Sequence, residues 1–156
     1  MSFRLTYASM FDPPASMHEA FDAALSRLRG ELGATHGLFV QGQDVPRRRT
    51  QRLVSPIDTR LELGHFAIAQ ADDVERALQA ARNAFPAWRA TPLAERVALL
   101  RRVAELMQQR VYAIAAALAL EVGKNRMEAI GEAQETVDFF RQYADDFERA
   151  QGFDVP

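Results

Sequence analysis

The sequence predicts a mainly α-helical chain with a few short β-strands, the front portion of a larger α/β fold. Three observations carry that reading. Four long stretches place apolar residues at helix spacing. Residues 38–69 offer only short strand runs parted by turns, and isolated two-stranded pieces are marginal in water. The helices carry broad apolar faces, as if made to cover a sheet that these residues do not supply.

Ser16-Met-His-Glu19 reads as a capping box, in which hydroxyl and carboxylate satisfy end-of-helix N–H groups. Met17, Phe21, Ala24, Leu25, Leu28 and Leu32 follow at spacings of three and four, and Gly33 stops a helix over 16–32. Strands are expected at 38–40, 50–54 and 61–69, separated by turns at Gly42, at 46–49 and at Ser55-Pro-Ile-Asp58. A second helix begins near Asp72-Asp73, whose carboxylates suit the positive end of the helix dipole. Val74, Ala77, Leu78, Ala81 and Phe85 share one of its faces, and it is expected to stop around Pro86 to Trp88.

Thr91-Pro92 reads as an N-cap followed by proline at the first helical position. The pattern after it runs through Val97, Leu100, Val103, Leu106, Met107, Val111, Ile114, Leu118 and Val122, bends near 108–110 and ends at Gly123. A last helix over Arg126–Arg149 sets Ile130, Ala133, Val137, Phe140 and Tyr143 on one stripe. The chain thus reads as a single partial domain: an arm and capped helix (1–37), short strands (38–69), helices (71–149) and a tail (150–156). Faces containing Val97, Leu100, Val111, Ile114, Val137 and Phe140 are expected to lack their cover, so the isolated chain is expected to associate.

Composition excludes more than it specifies. With 48% apolar and 26% charged residues the 156-residue chain is of average globular make-up. A net charge of −2 gives no field to draw nucleic acid or an anionic membrane. The absence of cysteine, of a long apolar run and of a leader-like start predicts a soluble, cytoplasmic chain. His18, His36 and His65 are too scattered to imply a metal site. Arg47-Arg48-Arg49 beside Arg52 reads as a solvated turn, and Phe85 and Trp88 as core packing. Lys124 lacks the preceding glycines of a phosphate loop, so Gly123 is expected at positive φ in a turn, with Glu121 holding local structure.

Several segments, in order, resemble the aldehyde dehydrogenase superfamily: Phe39-Val-Gln-Gly-Gln43, Val54-Ser-Pro-Ile-Asp58 with Ser55 where the family carries asparagine, and the helix from Asp73 to Trp88. Helix 16–32, Glu121-Val-Gly-Lys-Asn125 and Glu135-Thr-Val-Asp-Phe139 resemble the branch that oxidises L-glutamate γ-semialdehyde (1-pyrroline-5-carboxylate) in proline breakdown. The resemblance implies part of a nucleotide-binding domain without its Rossmann sheet core, and NAD as the cofactor of the complete enzyme.

That family's reaction needs a cysteine thiolate to carry the acyl group, and this chain has no cysteine. Nor does a strand run into a Gly-x-Gly helix start, so no catalytic or cofactor-binding residue is assigned and the chain alone is expected neither to turn over substrate nor to bind NAD. Glu135 matches a substrate-entrance position, where a carboxylate could pair with the substrate's ammonium group. The plainer reading is a solvated helix-face carboxylate. The expected partners are the missing C-terminal portion or other copies of the chain, as in a homo-oligomer. The alternative is a stand-alone helical interaction module derived from the enzyme, without catalysis.

Overall fold

A computed structural model describes residues 12–46 and 49–153. Arg47 and Arg48, and with them most of the basic turn, lie outside the described residues. In chain order the elements are α1 (Ala15–Glu31), β1 (Thr35–His36), β2 (Leu38–Val40), β3 (Gln43–Val45), β4 (Thr50–Val54), β5 (Glu62–Ala67), α2 (Ala71–Ala90), α3 (Leu93–Gln108), α4 (Val111–Val122) and α5 (Arg126–Arg149). A short 3-10 turn, Gln151–Phe153, follows. The chain is mainly α with a few short strands, as the sequence predicts. The described residues form two compact units, one within residues 31–91 and the other of residues 12–30 with 92–153.

The helical unit contains α1, α3, α4 and α5 around one core. Met17 and Phe21 of α1, Ala104 of α3, Val111 and Ala115 of α4, and Ile130 and Val137 of α5 are all buried in it. Small side chains line much of this core. Ala115, Ala116 and Ala119 line α4, Ala129 and Ala133 line α5, and none is more than 8% exposed. Here the expectation of uncovered faces fails. Val97, Val111 and Val137 are buried, and Ile114 and Phe140 pack against the core, because the helices cover one another.

Local signals set the boundaries in this unit. Gly123, at φ 80°, ends α4 in the left-handed region and donates its N–H to the Ala119 carbonyl at 3.2 Å. Two residues on, the Asn125 side chain accepts the Glu128 N–H at 3.0 Å and caps α5. The bend expected at 108–110 is a full break, with Arg110 at φ −114°, ψ 11° between two helices. The Ser16 cap is not formed: α1 begins one residue earlier, and the Met17 N–H donates to the Pro14 carbonyl at 2.9 Å.

In the other unit β5 is central, antiparallel to β4 and parallel to the two-residue β1. β2 and β3 form a separate hairpin, closed by Gln41 and Gly42 at φ 56° and 76°. Two positive φ angles in a two-residue loop match the right-handed strand twist. The turn at Gly42 was legible, whereas β1 and β3 were not predicted. Ser55 is fully buried, and its hydroxyl accepts the Ile57 N–H at 3.3 Å to hold the following turn.

α2 outlasts its expected stop. Pro86 lies inside it, removing only one late hydrogen bond, and the helix continues to Ala90. Thr91 then serves α2 rather than α3, its hydroxyl donating to the Ala87 carbonyl at 3.0 Å and its N–H to Trp88 at 3.1 Å. The start of α2 is secured by Asp73, which accepts the Gln70 N–H at 2.9 Å. Among the described residues no helix is long and apolar enough to cross a membrane.

Candidate functional site

The candidate site is built on α5. Its buried stripe runs through Ile130, Ala133, Val137 and Ala144, and Gln134 beside it is only 3% exposed. Gln134 exchanges two amide hydrogen bonds with Gln108 of α3, at 3.0 and 3.2 Å, and donates to Asp138 at 3.2 Å. This polar clasp fixes the rotation of α5 at mid-length, because a buried amide left unpaired is costly. The next residue, Glu135, is thereby turned to solvent.

Glu135 has no side-chain hydrogen bond or ion pair among the described residues, unlike its neighbours. Glu132, one turn earlier, is paired with Lys124, which ties the turn after α4 to α5. Glu121 is exposed and makes no such contact, so it does not hold local structure as expected; the Lys124–Glu132 pair does. One and two turns beyond Glu135 stand Phe139 and Tyr143, 48% and 61% exposed, with rings stacked at 5.8 Å between centroids. Tyr143 was expected on the buried stripe; Ala144 occupies that place, and Tyr143 joins Phe139 on the outer face.

The geometry is therefore an uncompensated carboxylate at the head of a two-ring apolar ridge. It can accept an ammonium group at Glu135 while aromatic faces flank an apolar stem. The ridge was readable only as the i, i+4, i+8 spacing of residues 135, 139 and 143.

Elsewhere the expected features do not converge into chemistry. His18 lies 2.8 Å from an Arg126 nitrogen, His36 stacks on Phe66 at 4.8 Å, and His65 sits 2.9 Å from Glu62. Among the described residues no three potential ligands cluster as a metal site would require. Among the described residues the parallel strands β1 and β5 are not joined by a helix, and no glycine-rich turn leads a strand into a helix N-terminus.

The kinship of the chain is nonetheless definite. Residues 41–156 match the sequence profile of the Aldehyde dehydrogenase family. The chain is 34% identical over 126 residues to 1-pyrroline-5-carboxylate dehydrogenase 2 of Bacillus subtilis (strain 168), covering 81% of this chain and 24% of that protein. It is 34% identical over 137 residues to the bifunctional protein PutA of Escherichia coli (strain K12), covering 85% and 10%. The solved 1-pyrroline-5-carboxylate dehydrogenase from Thermus with bound NAD superposes with a TM-score of 0.88 at 31% identity, over 100% of this chain and 30% of that one. The chain thus spans about a quarter of the length of the B. subtilis relative, corresponding to its N-terminal portion, and a tenth of PutA. It belongs to the aldehyde dehydrogenase family.

Proposed function

We propose that this chain is the N-terminal portion of an NAD-dependent dehydrogenase that oxidises L-glutamate γ-semialdehyde to glutamate in proline catabolism. It is not catalytically complete by itself, and its own contribution to the site is Glu135 at the substrate entrance. The observation that carries this reading is the exposed, unpaired Glu135 carboxylate above the Phe139–Tyr143 ridge. The substrate is a zwitterion with one reactive aldehyde carbon. A fixed carboxylate recognises its ammonium group and so orients the aldehyde toward a nucleophile supplied from elsewhere. In the complete enzyme NAD would supply the hydride acceptor.

The test is restoration. The chain is fused to the polypeptide that follows the matched region in the B. subtilis relative, and nicotinamide reduction is followed with glutamate semialdehyde. The fusion is expected to turn over and the isolated chain to stay at background, since it has no thiolate to carry the acyl group. Turnover by the isolated chain, or none by a folded fusion, would contradict the reading.

A second reading, a stand-alone helical interaction module, draws support from the closed core of the helical unit, where Met17, Val97 and Val137 are at most 1% exposed. A chain whose isolated form melts sharply as a monomer and does not respond to the remaining polypeptide would favour it.

A further inference from the structure

Two arginines of the helical unit lie over aromatic rings, and only one of them has its charge met. The Arg126 guanidinium, 4.8 Å from the centroid of Phe21, also donates to Asp22 and His18 of α1. The Arg96 guanidinium lies 5.3 Å from the centroid of Phe147, and among the described residues it has no hydrogen bond and no carboxylate partner. Its Nε is buried and has no acceptor. The three carboxylates flanking Phe147 on α5 are engaged elsewhere: Asp145 and Glu148 by Arg101, at 2.8 Å each, and Asp146 by Arg149. Nor is the charge relieved by the helix, since Arg96 stands in the first turn of α3, at the positive end of its dipole. By contrast, Phe85 and Trp88 on α2 are 57% and 47% exposed, not the core residues expected, and offer an occupant no specific chemistry.

A buried donor left without an acceptor is costly, and a guanidinium carries five N–H donors and no acceptor. Lying over a ring engages its face and leaves the N–H edge for a ligand. Nε–H and a neighbouring Nη–H together match two oxygens of one carboxylate or phosphate. Phe153 stacks on Phe147 at 6.1 Å, carried there by three consecutive residues, Gln151 to Phe153, at φ 49°, 86° and 56°. A Cβ at Gly152 would meet Leu93 of α3 at 3.6 Å and Phe147 at 3.7 Å, so this turn closes against the start of α3. We propose that Arg96, with Phe147 and Phe153 as its apolar wall, binds a small oxyanion, a carboxylate or a phosphate group. Phe147 lies twelve residues along α5 from Glu135, about 18 Å of helix rise, so the site is separate from the one described above and does not depend on it.

The test uses the whole chain, isotope-labelled for nuclear magnetic resonance. The Arg96 Nε–H resonance, identified by its absence from Arg96→Lys, is followed as sodium phosphate, sodium acetate or sodium chloride is added at matched pH and ionic strength. A saturable shift at millimolar phosphate or acetate is expected, and none with chloride. Whichever of the two saturates names the source of the oxyanion. Melting temperature gives a second readout, because a ligand that binds the folded chain stabilises it. The same oxyanion is expected to raise it in the parent and in Arg102→Gln, which removes an exposed α3 charge paired only with Glu105. In Arg96→Gln the concentration needed is expected to rise about tenfold or more. No saturable shift with either oxyanion overturns the site. So does a shift that chloride reproduces, or a stabilisation that Arg96→Gln retains in full. If Arg96→Gln does not fold, the resonance titration of the parent decides alone.

Discussion

Gln134 and Glu135 are adjacent on α5 and have opposite fates, and the helical turn between them explains why. One is clasped by Gln108 in the interior and the other is left free in solvent. Gln134→Ala removes one half of a reciprocal amide pair and leaves Gln108 unmatched, so a loss of about 1–3 kcal/mol in unfolding free energy is expected by denaturant titration. An unchanged midpoint would mean that water replaces the pair without cost. In the completed enzyme the same change is expected to weaken substrate binding, because α5 loses the contact that sets its rotation. The exposure of Glu135 was legible in the sequence from its place off the Ile130–Val137 stripe. The clasp was not, because a glutamine at helix spacing carries no sign of its distant partner.

At the scale of elements, the strongest local signals gave the best boundaries. Gly123 and Asn125 each act within one turn of their own position, so the end of α4 and the start of α5 could be read directly. Gly123→Ala places a Cβ at φ 80°, and a cost of about 1–2 kcal/mol is expected in thermal or denaturant unfolding. Asn125→Ala is expected to cost about 0.5–2 kcal/mol through loss of the cap. β1 escaped notice because two residues carry no periodicity, and its partner β5 lies far along the chain.

The strand unit also carries a pH dependence. The Arg52 guanidinium, hydrogen-bonded across the β4–β5 pair, holds the Glu62 carboxyl below the usual range, with His65 adding to the effect. A depressed carboxyl favours the folded state at pH values above its unfolded titration and loses that effect as pH falls through the folded value. The melting temperature of Glu62→Gln is therefore expected to fall less between neutral and acid pH than that of the parent chain. Parallel acid profiles would show that the Arg52–Glu62 pair adds nothing.

For the molecule as a whole, the distribution of exposed apolar side chains matters more than their number. The helical unit closes on itself, whereas α2 holds Val74, Leu78, Phe85 and Trp88 away from its own hairpin. Sequence pattern located both kinds of face but could not say which was covered, since an apolar stripe looks the same whether its partner lies in the same chain or another. The absent cysteine was the one whole-molecule fact fully visible from composition.

The central claim, that Glu135 recognises the substrate's ammonium group, is tested most directly by Glu135→Gln in the completed enzyme. The change keeps the shape and removes the charge. A hydrogen bond to a charged group contributes roughly 1.5–3 kcal/mol, so kcat/KM for glutamate semialdehyde is expected to fall about ten- to hundredfold, mainly through KM. A simple aldehyde without an ammonium group is expected to be affected much less. Equal losses on both aldehydes, or no loss on either, would contradict the account and return Glu135 to an ordinary solvated position on α5.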